Sequence, residues 1–321
     1  MTGPQPAVAA TRLAVRRCLR ELSGTVVVAV SGGADSLALL AAVAFEAARA
    51  GVRPVAVTVD HGLQTGSAAQ ADAVLAQAGA LGVDAEVVAV AVTGPGGPEA
   101  AARNARYGAL AAAAGRLQAT AILLGHTLDD QAETVLLGLA RGSGARSLAG
   151  MAAAAGPLRR PLLGLRRSQT EAACAAEGLT PWQDPMNDDP AYARVRVRVR
   201  ALPALEQAIG PGVAEALSRT AAQLAADNEA LDAWAAQALA AATDELGGLA
   251  VDSLAGLPRA VRTRVLRAAV LLAGVPAGSL TAVHVLELDR LVTDWHGQGP
   301  VALPGRLGAV RDCGRLLLVI P

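Results

Sequence analysis

The sequence predicts an α/β fold with a doubly wound, mostly parallel sheet, followed by a smaller and mainly helical domain. Over the first part of the chain, apolar strand-like segments alternate with Ala- and Leu-rich segments that favour helix. Polar residues follow the strand-like segments, as they do where ligands bind at the carboxyl ends of parallel strands. From about residue 202 the composition becomes helical, so we expect a first domain over 1–205 and an accessory domain over 206–321.

The expected elements follow from local patterns. A helix at 8–22 precedes the apolar strand Val26–Val30, which runs into a small-residue turn and an Ala/Leu-rich helix. Further strands are expected at 55–59, 85–92, 121–124 and 157–163, and helices at about 67–81, 99–115, 128–140 and 167–177. In the accessory domain we expect helices at about 211–243, 259–273 and 279–292, then a closing pair of short strands ending in Leu316–Ile320.

The turn after the first strand is the candidate phosphate site, with the sequence Ser31-Gly32-Gly33-Ala34-Asp35-Ser36. Backbone N–H groups at the start of the following helix and the helix dipole both favour an anion there. A carboxylate at Asp35 would repel a phosphate, so we interpret it as a magnesium or substrate-amine contact. The alternative is an ordinary strand-to-helix turn whose acid is favoured by the dipole.

Two other phosphate loops are excluded by the sequence. A Walker A loop needs a lysine, and all 28 basic residues here are arginine. The Gly-x-Gly-x-x-Gly fingerprint of dinucleotide-binding turns is absent as well.

Net charge, cysteine spacing and the length of apolar runs disfavour several classes of protein. The 321 residues carry a formal net charge of zero, so a nucleic-acid surface would have to be local. The three cysteines are far apart and form no Cys-x-x-Cys pair, which disfavours structural zinc, an iron–sulfur site and a disulfide framework. No apolar run is long enough for a membrane span. We therefore expect a soluble, cytoplasmic protein with no membrane partner.

Ionisable residues cluster after the second and fourth strands. Asp60-His61 follows the second strand, although a plain turn explains it equally well. After the fourth strand, Gly125-His126 leads into a helix start that carries Asp129, Asp130 and Glu133. A capping box, Thr127-x-x-Asp130, explains one or two of these acids but not the histidine and three acids together. No second histidine or cysteine lies nearby to favour zinc, so the acids would hold magnesium or a substrate ammonium group.

A local basic segment follows. Residues 141–200 contain 10 arginines against 5 acids. Arg141 and Arg146 lie in a glycine loop, and four further arginines, Arg194, Arg196, Arg198 and Arg200, alternate with valines. If this segment is extended, alternation places all four guanidinium groups on one face, where they could track a phosphate backbone. The alternative is a solvated edge strand whose charges block aggregation.

Together these motifs resemble the tRNA(Ile)-lysidine synthetase family of the PP-loop ATP pyrophosphatases, in a short form with one C-terminal domain. The resemblance rests on the following segments: Ser31–Ser36, Val59–Leu63, Asn104–Tyr107, Gly125–Thr134, Asp184–Asn187, Tyr192–Arg198 and Leu202–Leu205. The chain departs from the family pattern at Met186, Val195 and Gln64, which bear on contacts with RNA more than on the reaction.

The resemblance implies a ligase of tRNA processing that uses ATP and Mg²⁺. Its partners would be free L-lysine and tRNA(Ile) with a CAU anticodon, and the protein would form a homodimer. Cytidine O2 would attack the α-phosphate of ATP and release pyrophosphate, and the lysine amine would then attack C2 and release AMP. No protein nucleophile is needed, so catalysis would rest on positioning and charge stabilisation.

The resemblance also implies roles for individual residues. Ser31 to Ser36, with Asp60, His61 and Gly125, would bind the nucleotide, and Asp35 would bind the metal. Arg106 and His126 would stabilise the α-phosphate and the leaving group, and Asp130 and Glu133 would hold the lysine. The arginines expected to contact RNA are Arg141, Arg146, Arg194, Arg196 and Arg198, the last three of which could instead close over the active site.

Two alternatives stay open at this point. One is another tRNA-modifying or amide-forming ATP pyrophosphatase of the same group. The other is a non-catalytic, nucleotide-binding homologue. The absence of cysteine pairs disfavours a thiolation enzyme.

Overall fold

The computed structural model describes residues 3–62, 66–92, 98–142 and 144–320. The chain divides into two units, residues 1–224 and 225–321, and the division falls within a long helix. Gln64 and the last residue of the motif Val59–Leu63 lie outside the described residues. The sequence boundary at 205/206 precedes this division because the segment after it packs on the first unit, where Ala214 and Leu217 belong to the same apolar cluster as Leu128 and Ala132.

Helices and parallel strands alternate in the first unit. Its strands are β1 Gly24–Ala29, β2 Val52–Asp60, β3 Asp84–Ala89, β4 Ala121–Leu123, β5 Ala154–Ala155 and β6 Leu158–Arg159. Its helices are α1 Pro6–Leu19, α2 Ala34–Ala50, α3 Ser67–Ala80, α4 Pro98–Arg116, α5 Leu128–Ala140, α6 Ala145–Leu148, α7 Arg167–Ala176, α8 Ala193–Arg196, α9 Leu202–Ile209 and α10 Val213–Ala242, the last of which continues into the second unit.

The sheet of the first unit has the order β3-β2-β1-β4-β6-β5 among the described strands. All neighbouring pairs are parallel except β5 with β6. Alternate residues of β1 face opposite sides. Val26 and Val28 pack with α1, α2 and α3, and Val27 packs with α4. This two-sided burial explains why the strands are continuously apolar, and it confirms the predicted α/β class.

The strand order reverses between β1 and β4, which lie side by side although two other strands separate them in the chain. The carboxyl ends of these two strands lead into Ser31-Gly32-Gly33 and into Gly125-His126. Such a reversal leaves a crevice at the carboxyl edge of a parallel sheet. The fold therefore brings together two segments that the sequence keeps about ninety residues apart.

The second unit has its own core and a small antiparallel sheet. Its elements after α10 are β7 Leu249–Ala250, α11 Val251–Ala255, α12 Arg259–Leu272, α13 Ala282–Thr293, β8 Val301–Leu303, β9 Leu307–Asp312 and β10 Arg315–Val319. The sheet order is β7-β10-β9-β8. The sequence predicted the helices and only a closing pair of strands, because β7 and β8 are too short to show a period of two.

The arginine and valine segment is not extended, so the expected row of four guanidinium groups on one face is wrong. Residues Ala193–Arg196 form α8, and Val197–Ala201 form a π-helical turn. Helical spacing places Arg194 and Arg198 on one side, whereas Arg196 turns away and donates to the carbonyl oxygens of Pro190 and Ala191, both at 2.7 Å. The alternation of valine and arginine predicts a period of two, whereas the segment has a helical period.

The predicted strand over 157–163 is reduced to β6, because Leu158–Arg159 alone pairs with β4. The residues after it form a turn. Among the described residues, no helix combines the length and the apolar character needed to cross a lipid bilayer.

A buried ion pair holds α12 to α13 in the second unit. Nε of Arg262 lies 2.6 Å from Asp289, and the two residues are 8% and 7% exposed. We predict that Asp289→Ala lowers the free energy of unfolding by about 3 kcal/mol, because it leaves the guanidinium charge buried and unpaired. Chemical denaturation measures this, with exposed Asp294→Ala as the control, which should change it by less than about 0.5 kcal/mol. Equal values for both variants would contradict the prediction.

Candidate active site

The turn after β1 has the form of an anion site. Gly32 has φ +87°, a left-handed conformation that favours glycine, and Gly33 is the N-cap of α2 with φ −72°. The N–H groups of Ser36 and Leu37 bond to the carbonyl of Gly33 at 3.1 and 3.0 Å. The N–H groups of Ala34 and Asp35, at the start of the helix, have no intrahelical acceptor. They remain available for an anion at the carboxyl edge of the sheet.

The two serines of this turn have different surroundings. The hydroxyl of Ser36 is buried and donates to the carbonyl of Gly33 at 2.8 Å. Its oxygen also lies 3.2 Å from the N–H of Ser31. Ser36 therefore stabilises the turn itself, whereas Ser31 is exposed at the mouth of the crevice.

Asp35 is partly buried and has two partners on α7. Thr170 donates its hydroxyl to one carboxylate oxygen, and Nε of Arg167 lies 3.4 Å from the other. Burial raises the pKa of Asp35 to about 6 although both partners act in the opposite direction. The residue is thus more than a helix N-terminal acid, since its carboxylate faces a cation across the crevice.

The two carboxylate oxygens of Asp130 have different partners, one in the helix cap and one in the candidate site. One carboxylate oxygen, Oδ2, accepts from the N–H and the hydroxyl of Thr127 at 2.8 and 2.9 Å, which closes the predicted capping box. The other oxygen, Oδ1, lies 2.8 Å from Arg167. Burial alone would raise the pKa of Asp130, but Arg167 and Thr127 outweigh it and hold the pKa below the ordinary value.

Glu133 is fully buried behind three guanidinium groups. Its exposure is 0%, and its oxygens lie 2.7 Å from Arg198, 3.4 Å from Arg167 and 3.5 Å from Arg194. A helix cap cannot account for this carboxylate, because it lies beyond the first turn of α5. Beside these groups, a cavity of about 150 Å³ is lined in part by Arg166, Arg167 and Arg198.

Arg167 lies at the centre of this cluster of acids, and the sequence interpretation did not include it. It is the first residue of α7, and its guanidinium contacts Asp35, Asp130 and Glu133. Its backbone N–H also donates to Asp129 at 2.7 Å. No local motif marks it, since its partners lie 34 to 132 positions away in the chain. In the sequence, Arg167 was included only in the general excess of arginines over residues 141–200.

Three basic side chains form a second group, in which Arg106 is close enough to affect the pKa of both His61 and His126. The buried atoms Nδ1 of His61, Nε of Arg106 and Nδ1 of His126 have no hydrogen-bond partner among the described residues. Burial lowers the pKa of His126 to about 4, and Asp130 only partly offsets this. Burial and Arg106 lower the pKa of His61 as well. Unpaired buried polar atoms are costly, and Nε of Arg106 and the protonated nitrogen of each neutral imidazole can donate to an anionic ligand.

Asp60 and Gly125 support the site in different ways. Asp60 accepts the N–H of Gly62 at 2.9 Å, which is the plain turn considered as the alternative. Gly125 packs directly on the start of α2, because a Cβ built there would lie 3.0 Å from the carbonyl oxygen of Asp35. The absence of a side chain at Gly125 lets the ends of β1 and β4 approach closely.

The arginines expected to contact RNA fall into two groups. Arg194 and Arg198 face Glu133, as described above. Arg141, Arg146 and Arg196 are exposed. A cavity of about 230 Å³ is lined by Arg141 and Arg194 together with Thr134 and Ser147. Roles of these arginines in RNA binding stay a prediction.

Comparison with known proteins gives consistent matches along the chain. Residues 11–205 match the model of the PP-loop domain, and residues 249–317 match that of the TilS substrate binding domain. The tRNA(Ile)-lysidine synthase of Streptomyces coelicolor is 53% identical, covering 98% of this chain and 99% of the relative. The tRNA(Ile)-lysidine synthase of Thermobifida fusca is 56% identical, with 99% of each chain covered.

A solved structure shows a similar fold. The U34-tRNA thiolase NcsA from Methanococcus maripaludis, determined with its [4Fe-4S] cluster, aligns with a TM-score of 0.55. The two are 19% identical, and the alignment covers 68% of this chain and 79% of the thiolase. The similarity confirms the α/β architecture.

We predict that Gly125→Ala weakens ATP binding, because the new Cβ would lie 3.0–3.1 Å from backbone atoms of Asp35 and Ser36 and would push the start of α2 outward. A loss of roughly tenfold or more in affinity is expected for one displaced anion contact. Calorimetric titration with ATP measures it. Gly108→Ala in α4 is the control, since a Cβ there meets nothing within 4 Å. Unchanged affinity in Gly125→Ala would contradict the placement of the nucleotide.

Proposed function

The chain belongs to the tRNA(Ile)-lysidine synthase family, and we propose that it joins free lysine to C2 of the wobble cytidine of tRNA(Ile) with a CAU anticodon. As a member it is a PP-loop ligase that uses ATP to form lysidine on tRNA(Ile). One observation carries the assignment of roles to residues. The phosphate-loop acid Asp35 and the acids of α5 contact the same guanidinium.

In the first step, O2 of the cytidine attacks the α-phosphorus of ATP, and the bond to the β-phosphate breaks. The products are an O2-adenylated cytidine and pyrophosphate. The N–H groups at the start of α2 would hold the departing phosphates. Arg106 would neutralise charge on the α-phosphate, and uncharged His126 would donate one hydrogen bond to it. Preorganised donors of this kind act where water is excluded and need no reorganisation during the reaction.

In the second step, the lysine amine attacks C2 of the adenylated cytidine. The bond between C2 and O2 breaks, AMP leaves with that oxygen, and the amine releases its proton. Asp130 and Glu133 would bind the lysine through its ammonium charge, because paired buried carboxylates suit a cation. Since Glu133 is enclosed by arginines in this structure, at least one guanidinium has to move before lysine reaches it.

A magnesium ion would bind through Asp35 and the phosphates of ATP. Among the described residues, no group of three or more His, Cys, Asp or Glu side chains is arranged to hold a metal. One carboxylate together with substrate phosphates is a usual arrangement for Mg²⁺, so Asp35 fits this role. The ion would supply charge neutralisation on the leaving phosphates.

RNA contacts by Arg141, Arg146, Arg194, Arg196 and Arg198 are part of the same proposal. The exposed arginines are suited to phosphate contacts, which are sequence-independent and weaken as salt rises. The homodimer implied by the family resemblance and the cytoplasmic location expected from the composition also stay predictions.

Incorporation of radiolabelled lysine tests the proposed function. The protein, ATP and tRNA(Ile) with a CAU anticodon are expected to yield labelled tRNA together with equal amounts of AMP and pyrophosphate. Omission of lysine should leave only the adenylated tRNA. Pyrophosphate release with no uptake of lysine under any condition would favour a different PP-loop activity.

We predict that Asp130→Asn raises the KM for lysine roughly 30-fold or more and leaves the KM for ATP within about 3-fold. The asparagine oxygen can keep the capping bonds to Thr127, while the charge facing Arg167 is lost. Steady-state lysidine formation measures both constants. Glu171→Gln, an exposed acid of α7, is the control. An unchanged lysine KM in Asp130→Asn would contradict the amine-binding role.

The pKa of Asp35 predicts an acid limit of activity. As pH falls through about 6, the buried carboxylate takes up a proton and loses the charge needed for magnesium. We expect kcat/KM for ATP to fall about tenfold per unit below that pH, because kcat/KM reports groups of the free enzyme. His126 has a pKa of about 4 and stays neutral above it. Pyrophosphate release measured between about pH 5 and 8 checks this, and a flat profile over that range would contradict it.

A further inference from the structure

Arg167 lies between the two halves of the active site. Its guanidinium reaches Asp35 at the phosphate loop at 3.4 Å, and Asp130 and Glu133 on α5 at 2.8 and 3.4 Å. These three acids come from two segments of the chain that follow β1 and β4. Across the crevice, the three side-chain nitrogens of one residue therefore contact all three acids.

The position of Arg167 is fixed by its own backbone. Its N–H donates to Asp129, and its carbonyl oxygen lies 2.7 Å from the hydroxyl oxygen of Thr170, the residue that donates to Asp35. Its side chain is 20% exposed, compared with 29% for Arg198 and 30% for Arg194. The other two arginines belong to α8 and the π-helical turn, so Arg167 is the least exposed of the three and lies on the helix that contacts Asp129 through its backbone.

Arg167 belongs to a cluster of acidic and basic side chains that neutralise one another's charge. Four acids, Asp35, Asp129, Asp130 and Glu133, face four arginines, Arg166, Arg167, Arg194 and Arg198. Among these, Arg167 contacts both Asp35 and the acids of α5, and the other contacts join neighbours on one side of the crevice. Removal of Arg167 would leave Asp35 and Asp130 to repel each other in a partly buried site.

We propose that Arg167 is a positioning residue that sets the distance between the phosphate loop and the lysine-binding acids. Its fork geometry suits this task, because a guanidinium can contact several carboxylates in fixed directions whereas an ammonium acts as a point charge. The inference rests on the proposed function. It adds that adenylation and amine transfer depend on one shared residue that touches neither reacting bond.

Three variants test the proposal in the full chain. Arg167→Ala removes the guanidinium, and Arg167→Lys keeps the charge without the fork. Arg12→Ala is the matched control, because Arg12 anchors the other end of α7 through Glu177 at 2.7 Å. For each variant, tRNA-dependent pyrophosphate release without lysine and lysidine formation over a range of lysine concentrations are measured, with and without millimolar guanidinium chloride.

We expect Arg167→Ala to raise the KM for lysine roughly 30-fold or more and to slow pyrophosphate release roughly tenfold. Added guanidinium should recover part of both losses, and Arg167→Lys should fall between Arg167→Ala and the wild type. Arg12→Ala should stay within about 2-fold of the wild type and should not respond to guanidinium. Rescue by guanidinium cannot arise from a role confined to packing.

Any of three outcomes would overturn the proposal. The first is that Arg167→Ala stays within about 2-fold of the wild type in both lysine KM and pyrophosphate release. The second is an equal loss in Arg12→Ala, and the third is that Arg167→Lys and Arg167→Ala lose the same activity and do not respond to guanidinium. Absence of lysidine with the wild type would instead refute the proposed function. In that case pyrophosphate release, which needs no lysine, would still decide whether Arg167 positions Asp35.

Discussion

The site depends on the contact of one guanidinium with acids from two separate segments. Arg167 contacts Asp35 after β1 and Asp130 and Glu133 on α5, which follows β4. Without a cation between them, these carboxylates would repel each other and drift apart. The close approach of Gly125 to the start of α2 provides the matching backbone constraint. A shared cation and a missing side chain thus hold the phosphate loop and the acidic helix in one crevice.

The site has a basic side, with His61, Arg106 and His126, and an acidic side, with Asp35 and Asp130. Burial affects the pKa values of the two sides differently. On the basic side, burial keeps His126 uncharged, and Nδ1 of His61 and Nε of Arg106 have no hydrogen-bond partner in the part of the chain that the structure describes. On the acidic side, burial raises the pKa of Asp35, while Arg167 and a helix cap keep Asp130 ionised. Under the proposed function, the acids of α5 would hold the amine, and the N–H groups at the start of α2, with Arg106 and His126, would contact the triphosphate. Asp130 is close enough to His126 to affect its pKa, and such proximity suits a reaction in which an adenylated base meets an amine.

Much of this arrangement was visible in the sequence, because it is local. The phosphate loop, the Thr127 to Asp130 capping box and the alternation of strands and helices each depend on neighbours in the chain. Two features were not. Arg167 has partners 34 to 132 positions away, so no spacing marks it. The arginine and valine segment fits a strand by its alternation, but contacts of Arg194 and Arg198 with Glu133 favour a helical turn.

A structure determined with a non-hydrolysable ATP analogue and lysine would test the central claim most directly. The measured quantity is the position of the lysine amine relative to the α-phosphate and to Arg167. We expect the phosphates at Ser31–Ser36, the amine at Asp130 and Glu133, and Arg167 still in contact with Asp35 and Asp130. Lysine bound outside this crevice, or Asp35 separated from the acids of α5 once both ligands are present, would contradict the account.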